Sequence, residues 1–383
     1  MGDVTIDSEE NIVASGRTLG GRGHSGDEGA FLVKLDPSGS ETWMRYVNEG
    51  AKEDEIFALA AGESGSLYAA GSSNVGLGDE VIPGDDATFI AKYDSEGERV
   101  WSDMTGTRSF DSARAVAVDG DGNVYFAGFV GEQLGKQQFG GGNYDAFVAK
   151  YTSDGDHQWT NSFGGSGADQ AHGLAVVDGA AFVVGEATDA IGDGEYNGGE
   201  SDGFIARYNT DGTQQWVRMV GTSAADKLFS AASTPDGSLA VGGSTGGELG
   251  GRSFNGGDLD GFVAEYSTDG ESQWTRLVGA SGTDKIDAVH VAADGSFHAA
   301  GTTDQKLGDS SFNGGDSDAF LASFGGDGSL QGIDLVGNSG ADKARGLANG
   351  PNGELYLGGE TDGAFEGSDQ KLGRSSGFVA RVK

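Results

Sequence analysis

Carboxylates are the residues of this chain whose types and spacing could do chemistry. They stand just ahead of a recurring apolar run, as in "FNGGDSDAFLA" from Phe312, "FNGGDLDGFVA" from Phe254 and "YNGGESDGFIA" from Tyr196. Asp316 and Asp318, Asp258 and Asp260, and Glu200 and Asp202 each flank a single residue in these copies. The glycine backbone beside them could add carbonyl oxygens to make a site for Ca²⁺, which takes about six to eight oxygen ligands. The spacing falls short of a complete calcium loop, so solvated turns are the alternative. Asp145 holds the inner acid position in "FGGGNYDAFVA", and Asp27 and Asp85 hold the outer one earlier in the chain.

A second acidic set is Asp54, Asp111, Asp169, Asp226, Asp284 and Asp342, spaced 57 or 58 residues apart. Each precedes a short apolar strand. Together they could ring the mouth of a channel and hold a cation, or each could accept backbone N–H bonds and fix a junction between repeats. Three residues further on the copies diverge, to Phe57, Arg114, His172, Phe229, Asp287 and Arg345. Diverse residues at one place on a constant frame are how binding surfaces are built. These six are the expected ligand contacts, with drift at an exposed position as the plain alternative.

Other chemistries find no support. "DGDGNV" from Asp119 begins like an EF-hand loop, but Val124 and Val130 stand where Gly and Glu are required. "GRGHSG" from Gly21 fits a dinucleotide fingerprint in its letters alone, because no helix follows it. His24, His157, His172, His290 and His298 occupy unlike places in their repeats, which does not suggest zinc. With no cysteine and no repeated Ser–His–Asp arrangement, nucleophilic catalysis has no candidate, and a non-enzyme is expected.

The elements that must position these groups recur with a fixed period. Phe31, Phe89, Phe147, Phe204, Phe262, Phe320 and Phe378 are separated by 58, 58, 57, 58, 58 and 58 residues. One unit reads as four strands: "GLAVV" from Gly173 (a), "AFVVG" from Ala181 (b), "GFIARY" from Gly203 (c) and "QQWVRMV" from Gln214 (d). Asp-Gly pairs in "DGDGN", "TPDGS" and "NTDGT" supply the hairpin turns. A sheet this small cannot bury both faces alone, whereas a radial array can. The expectation is an all-β, seven-bladed β-propeller with four antiparallel strands per blade, the last lacking its outer strand.

Residues 1–383 then form a single domain, with blades at about 3–48, 55–106, 112–164, 170–221, 227–279, 285–336 and 343–383. The b–c and d–a loops share one face, and the a–b and c–d hairpins share the other. Trp43, Trp101, Trp159, Trp216 and Trp274 occupy one position on strand d, where an aromatic fills the wedge between diverging blades; Gly332 stands in the sixth.

Units such as "GLAVVDGAAFVVGEATD…GGESDGFIARYNTDGTQQWVRMVG" resemble the bacterial β-propeller repeat (SBBP) family over essentially the whole chain. The resemblance implies an extracellular or cell-surface setting. The c–d hairpin is also similar to the tryptophan-docking motif of pyrroloquinoline-quinone dehydrogenases, at that packing motif only.

A formal charge of −36 with 72 glycines argues against nucleic acid and anionic membranes, since both are bound through Lys and Arg clusters. No apolar run reaches the roughly 20 residues of a membrane span, and "MGDVTIDSEE" lacks the features of a signal peptide. A secreted protein would carry its exporting segment outside these residues. The function expected is a recognition or adhesion module, Ca²⁺-assisted or not, binding a protein or carbohydrate through the b–c and d–a face. A multivalent lectin and a carbohydrate-active lyase or hydrolase at the channel mouth are the alternatives.

Overall fold

The computed structural model describes residues 2–19, 28–48, 54–77, 80, 82, 84, 86–134, 139–308, 310, 312–350, 353–363 and 376–382. Among them the only helical element is a single 3-10 turn, Glu63–Gly65. Blade 4 shows the unit: strand a, Asp169–Val177, pairs with b, Ala180–Ala187, then c, Asp202–Tyr208, then d, Gln214–Val220. Six such four-stranded antiparallel sheets are present, and a seventh has three strands, Asp342–Asn349, Leu355–Thr361 and Ser376–Arg381. The short strand a of blade 1, Val4–Ile6, touches strands a of blades 2 and 7 and so closes the ring.

The pattern of burial explains why sheets this small persist. Strands b and c are apolar on both faces because each blade is covered by two neighbours, and "VYFAGFV" (Val124–Val130) is buried throughout. Phe89, Phe147, Phe204, Phe262 and Phe320 are each at most 1% exposed, and every such ring contributes about 1.5–3 kcal/mol of burial. Strand d alternates and faces water at its start, as in Gln214–Val220.

The innermost strand is irregular in the same way six times. In blades 2 to 7 the a–b ladder slips by one residue, between Ile56 and Ala58, Ala113 and Ala115, Ala171 and Gly173, Leu228 and Ser230, Ile286 and Ala288, and Ala344 and Gly346. The skipped residues are Phe57, Arg114, His172, Phe229, Asp287 and Arg345. A bulge leaves its extra residue out of the ladder and re-aims the side chain. On the facing strand b a glycine makes room: a Cβ on Gly185 would fall 1.9 Å from the Gln170 carbonyl oxygen and 2.8 Å from the Phe204 ring.

Candidate site at the channel mouth

All six bulge residues line one cavity of about 500 Å³, the central channel. The repeat brings together what the sequence spaces 57 or 58 residues apart. A recess of about 360 Å³ adjoins it, walled by Arg17, Glu55, Phe57, Arg114, Arg345 and Glu360. The Arg114 guanidinium lies 3.8 Å from the Phe57 ring centre and 5.5 Å from that of Phe129. Its Nε is buried without a hydrogen-bond partner among the described residues. Burial pulls its pKa below the ordinary value, opposed by Glu55.

The rim gathers basic residues in a chain that has only 24 Lys and Arg against 60 Asp and Glu. Some are matched: Arg17 with Glu55 at 2.7 Å, Lys227 with Glu186 at 2.6 Å, and Arg345 with Glu360 at 3.2 Å. Burial works against the Glu186 carboxylate, but His172 at 3.2 Å and Lys227 outweigh it and hold the pKa at about 2. Among the described residues Arg114, Lys285 and Lys343 have no carboxylate within ion-pair distance. Asp287 accepts a hydrogen bond from the Thr302 hydroxyl (3.0 Å), yet burial lifts its pKa to about 6 against the pull of Arg345, Lys285 and Lys343.

Two further titratable groups line the channel. Burial raises Asp3 to about 6, although the Leu59 and Val4 amides donate to its carboxylate at 2.9 and 2.8 Å. Burial, and then His298, lowers His290 to about 4 and keeps its imidazole neutral at pH 7. The sequence reading missed these two, as well as the rim lysines. The lysines did leave a signal, because Lys227, Lys285 and Lys343 each follow a d–a aspartate directly.

The d–a aspartates do not ring the mouth. Asp54, Asp111, Asp169, Asp226, Asp284 and Asp342 are fully buried, and none lines the cavity. Each accepts from its own junction: the Gly165 N–H donates to Asp169 at 2.7 Å, Thr222 to Asp226 at 2.6 Å, Ala280 to Asp284 at 2.8 Å and Asn338 to Asp342 at 2.7 Å. Asn48 and Ser73 side chains serve Asp54 at 2.9 and 2.6 Å, and the Gly131 amide serves Asp111 at 2.9 Å. The carboxylates thereby satisfy amide donors in these part-buried loops.

The alternate acids of the b–c loops do not share a site either. Asp258, Asp316 and Glu200 lie exposed in the loop bends, whereas Asp260, Asp318 and Asp202 open strand c and are buried. The inward acids accept from the Asn255, Asn313 and Asn197 amides at 2.6, 2.6 and 2.5 Å. They meet the d–a aspartate at the following junction instead. Beside Gly221 a Cβ would lie 2.2 Å from Asp202 Oδ1 and 3.1 Å from Asp226 Oδ2, and beside Gly337 it would lie 2.8 Å from both Asp318 Oδ1 and Asp342 Oδ2. Asp145 and Asp169 converge on Gly164 in the same way, and burial, then nearby Asp189 and Asp145, lifts Asp169 to about 7. Among the described residues no three His, Cys, Asp or Glu side chains cluster as metal ligands. Asp27 and Asp85 lie outside the described residues.

The tryptophans sit at the outer edge, far from the channel. The indole N–H of Trp43 donates to the Ser95 carbonyl of the next blade at 3.0 Å, as Trp101 does to Ser153 at 3.1 Å and Trp159 to Thr210 at 3.0 Å. Trp216 and Trp274 lie against Gly270 and Gly328 in the corresponding turns.

No family model matches the chain. A curated relative, the regulatory protein FlaEY of Caulobacter vibrioides, is 26% identical over 225 residues, which cover 55% of this chain and 23% of that protein. The chain thus spans less than a quarter of that relative's length. Among solved structures, an ulvan lyase of a new polysaccharide lyase family superposes with a TM-score of 0.58, and with 0.57 when bound to -[GlcA(1-4)Rha3S]-. Each comparison covers 99% of this chain and 91% of the lyase at 10% identity, a likeness of fold alone. Together with the sheet order, it makes this chain a seven-bladed β-propeller.

Proposed function

We propose that this propeller is a non-catalytic recognition module, working outside the cell or at its surface, that takes the acidic group of a saccharide in the mouth of its central channel. The observation that carries the reading is Arg114. Its guanidinium lies beside two aromatic rings and, among the described residues, has no carboxylate partner, at the rim of a chain whose net charge is −36. A guanidinium offers a planar fork of donors that matches a carboxylate or sulfate, and a desolvated setting strengthens the bond. Lys285, Lys343 and Arg345 add positive potential close by. The b–c and d–a loops surround the mouth and would contact the rest of the ligand.

A saccharide is favoured over a peptide because the ulvan lyase of like fold was solved with a uronate- and sulfate-bearing saccharide. The extracellular setting rests on the resemblance of the repeats to cell-surface propellers. Calorimetric titration with an oligoglucuronate, against a neutral oligoglucose at the same salt, tests the reading. One site per chain is expected, weakening as salt rises. Equal binding of the neutral sugar would overturn it, and several equivalent sites per chain would favour a multivalent lectin.

A second reading, a polysaccharide lyase, is favoured by the imidazoles in the channel. His172 is hydrogen-bonded to Glu186 at 3.2 Å, and His290 is kept neutral with its Nε2 unpartnered. An imidazole is a common general base, and in this reading His172, hydrogen-bonded to Glu186, would take the proton while neutral His290 contacts the substrate. Ultraviolet-absorbing unsaturated uronate released from the oligoglucuronate, and lost in both His172→Ala and His290→Ala, would replace the binding reading with this one.

A further inference from the structure

Blade 3 departs from the other blades at four places, all toward the face of the channel mouth. In the d–a loop that leads into it, Arg108 stands where later copies have Ser166, Ser223, Ser281 and Ser339. Phe110 of the same loop replaces Ala168, Ala225, Thr283 and Ala341. Phe129, near the end of strand b, takes the place of Glu186, Ser244 and Thr302, and Tyr144, just before strand c, that of Ser201, Leu259 and Ser317.

The three aromatic rings meet. Phe129 is buried, with its ring centre 4.8 Å from that of Tyr144 and 5.8 Å from that of Phe110, and Phe110 stands edge-on to Tyr144 at 6.4 Å. Parallel bridges from Phe110 to Asp86 and from Tyr144 to Ala168 pin both backbones across the neighbouring junctions. Phe110 is nevertheless 40% exposed, the one exposed aromatic among the described residues. A single exposed apolar side chain needs no explanation, but one that caps a fixed aromatic cluster marks a contact surface. Phe129 is also the second ring beside the Arg114 guanidinium, 5.5 Å away, so the cluster continues the channel mouth outward over blade 3. Arg108 is exposed, and among the described residues its guanidinium has no ion pair or hydrogen bond.

We infer that the Phe110 and Tyr144 rings form a second saccharide subsite, a reading that rests on the proposed role of Arg114. With the acidic group of one sugar on Arg114, the ligand runs outward along blade 3 and its next pyranose lies on this platform. The C–H face of a pyranose packs on aromatic rings while its hydroxyls stay in water. Arg108, two residues before Phe110, takes the acidic group of that second sugar, because its planar fork suits a carboxylate or a sulfate. The ligand is therefore an acidic oligosaccharide of two or more residues. Blade 3 alone reads its second residue, since the later blades carry serine and small residues in the same d–a loop positions.

Titration of glucuronate and of tetraglucuronate into the full chain at one salt concentration tests the platform, by calorimetry for the tetrasaccharide and by NMR shifts for the single sugar. The tetrasaccharide is expected to bind at least about tenfold more tightly, the weight of a well-packed aromatic contact. Phe110→Ala is expected to remove most of that advantage without changing the affinity for the single sugar, and Phe110→Tyr, which keeps the ring, to preserve it. Arg108→Gln should weaken the tetrasaccharide alone and flatten its salt dependence. Val100→Ala, at an exposed position on the outer strand of blade 2, should change neither. In the unmodified chain labelled with ¹³C-phenylalanine, the Phe110 ring resonances should shift with the tetrasaccharide and stay in place with the single sugar. Equal affinity for the two ligands, tetrasaccharide binding indifferent to Phe110→Ala, or unmoved Phe110 resonances would overturn the platform and leave the Arg114 site standing. Absence of binding by both ligands, or binding indifferent to Arg114→Gln, would overturn both.

Discussion

The guanidinium of Arg114 and the ring of Phe57, borne by the bulges of adjacent blades, lie 3.8 Å apart. A cation over an aromatic face in a desolvated setting gains about 2 kcal/mol, and the stack fixes the guanidinium without using its hydrogen-bond donors. The terminal Nη donors, unlike the buried Nε, stay available to an anion. Arg114→Gln is therefore expected to lower affinity for the oligoglucuronate by about tenfold or more, the weight of one charge-assisted bond of roughly 1.5–3 kcal/mol. Phe57→Leu keeps the charge but loosens its position, so a smaller loss is expected. Calorimetry on both variants checks the order.

Stability should fall as pH rises from about 4 to about 7. Asp169 has its folded pKa raised from 3.8 to about 7, and Asp3 and Asp287 theirs to about 6, so these three hold more protons in the native state than in the unfolded chain in this window and outweigh His290, lowered from 6.5 to about 4, which acts the other way. The stabilisation is complete below the unfolded value and is lost as pH passes the folded one. Melting temperature followed from pH 4 to pH 8 should decline, and Asp169→Asn should flatten part of that decline. A slope unchanged in the variant would assign it to general repulsion among surface charges.

Asp202 caps its loop by accepting from the Asn197 backbone and side chain, at 2.5 and 3.1 Å. Asp202→Ala removes the buried acceptor of both bonds and is expected to cost about 1–3 kcal/mol. Asp202→Asn retains an acceptor and relieves the contact with Asp226, so it should cost less. Urea unfolding of both variants separates the two effects.

Gly185 faces the His172 bulge. Gly185→Ala drives a methyl group onto the Gln170 carbonyl and the Phe204 ring, an overpacking that costs about 1–3 kcal/mol. The same change should shift the His172 imidazole resonances in an NMR spectrum, because the bulge must move. Gly192→Ala, at a position with a φ of +58° and open space, should leave them in place.

Amino-acid sequence alone determined the number of blades, their strands and their turns. Each follows from local rules: a 58-residue period, apolar runs bounded by Asp-Gly pairs, and a phenylalanine on every strand c. The three strands of the seventh sheet were legible for the same reason, and so was the variable position, as a column of unlike residues.

What those residues do was decided by tertiary structure. The one-residue slip that turns Arg114 and its equivalents into the channel has no local signature, because it arises where strands a and b meet across the ladder. For the d–a aspartates the sequence left a ring of carboxylates at the mouth and an amide-accepting junction role both open, and the folded loops decide for the second. The alternate acids parted because the first lies in an exposed bend and the second opens the buried strand c, and Asp202 met Asp226, 24 positions further on and across a blade junction. Arg114 is positioned by Phe57, 57 residues away. Spacing encodes the frame, whereas burial and partnership depend on contacts between blades, and those exist only once the ring has closed.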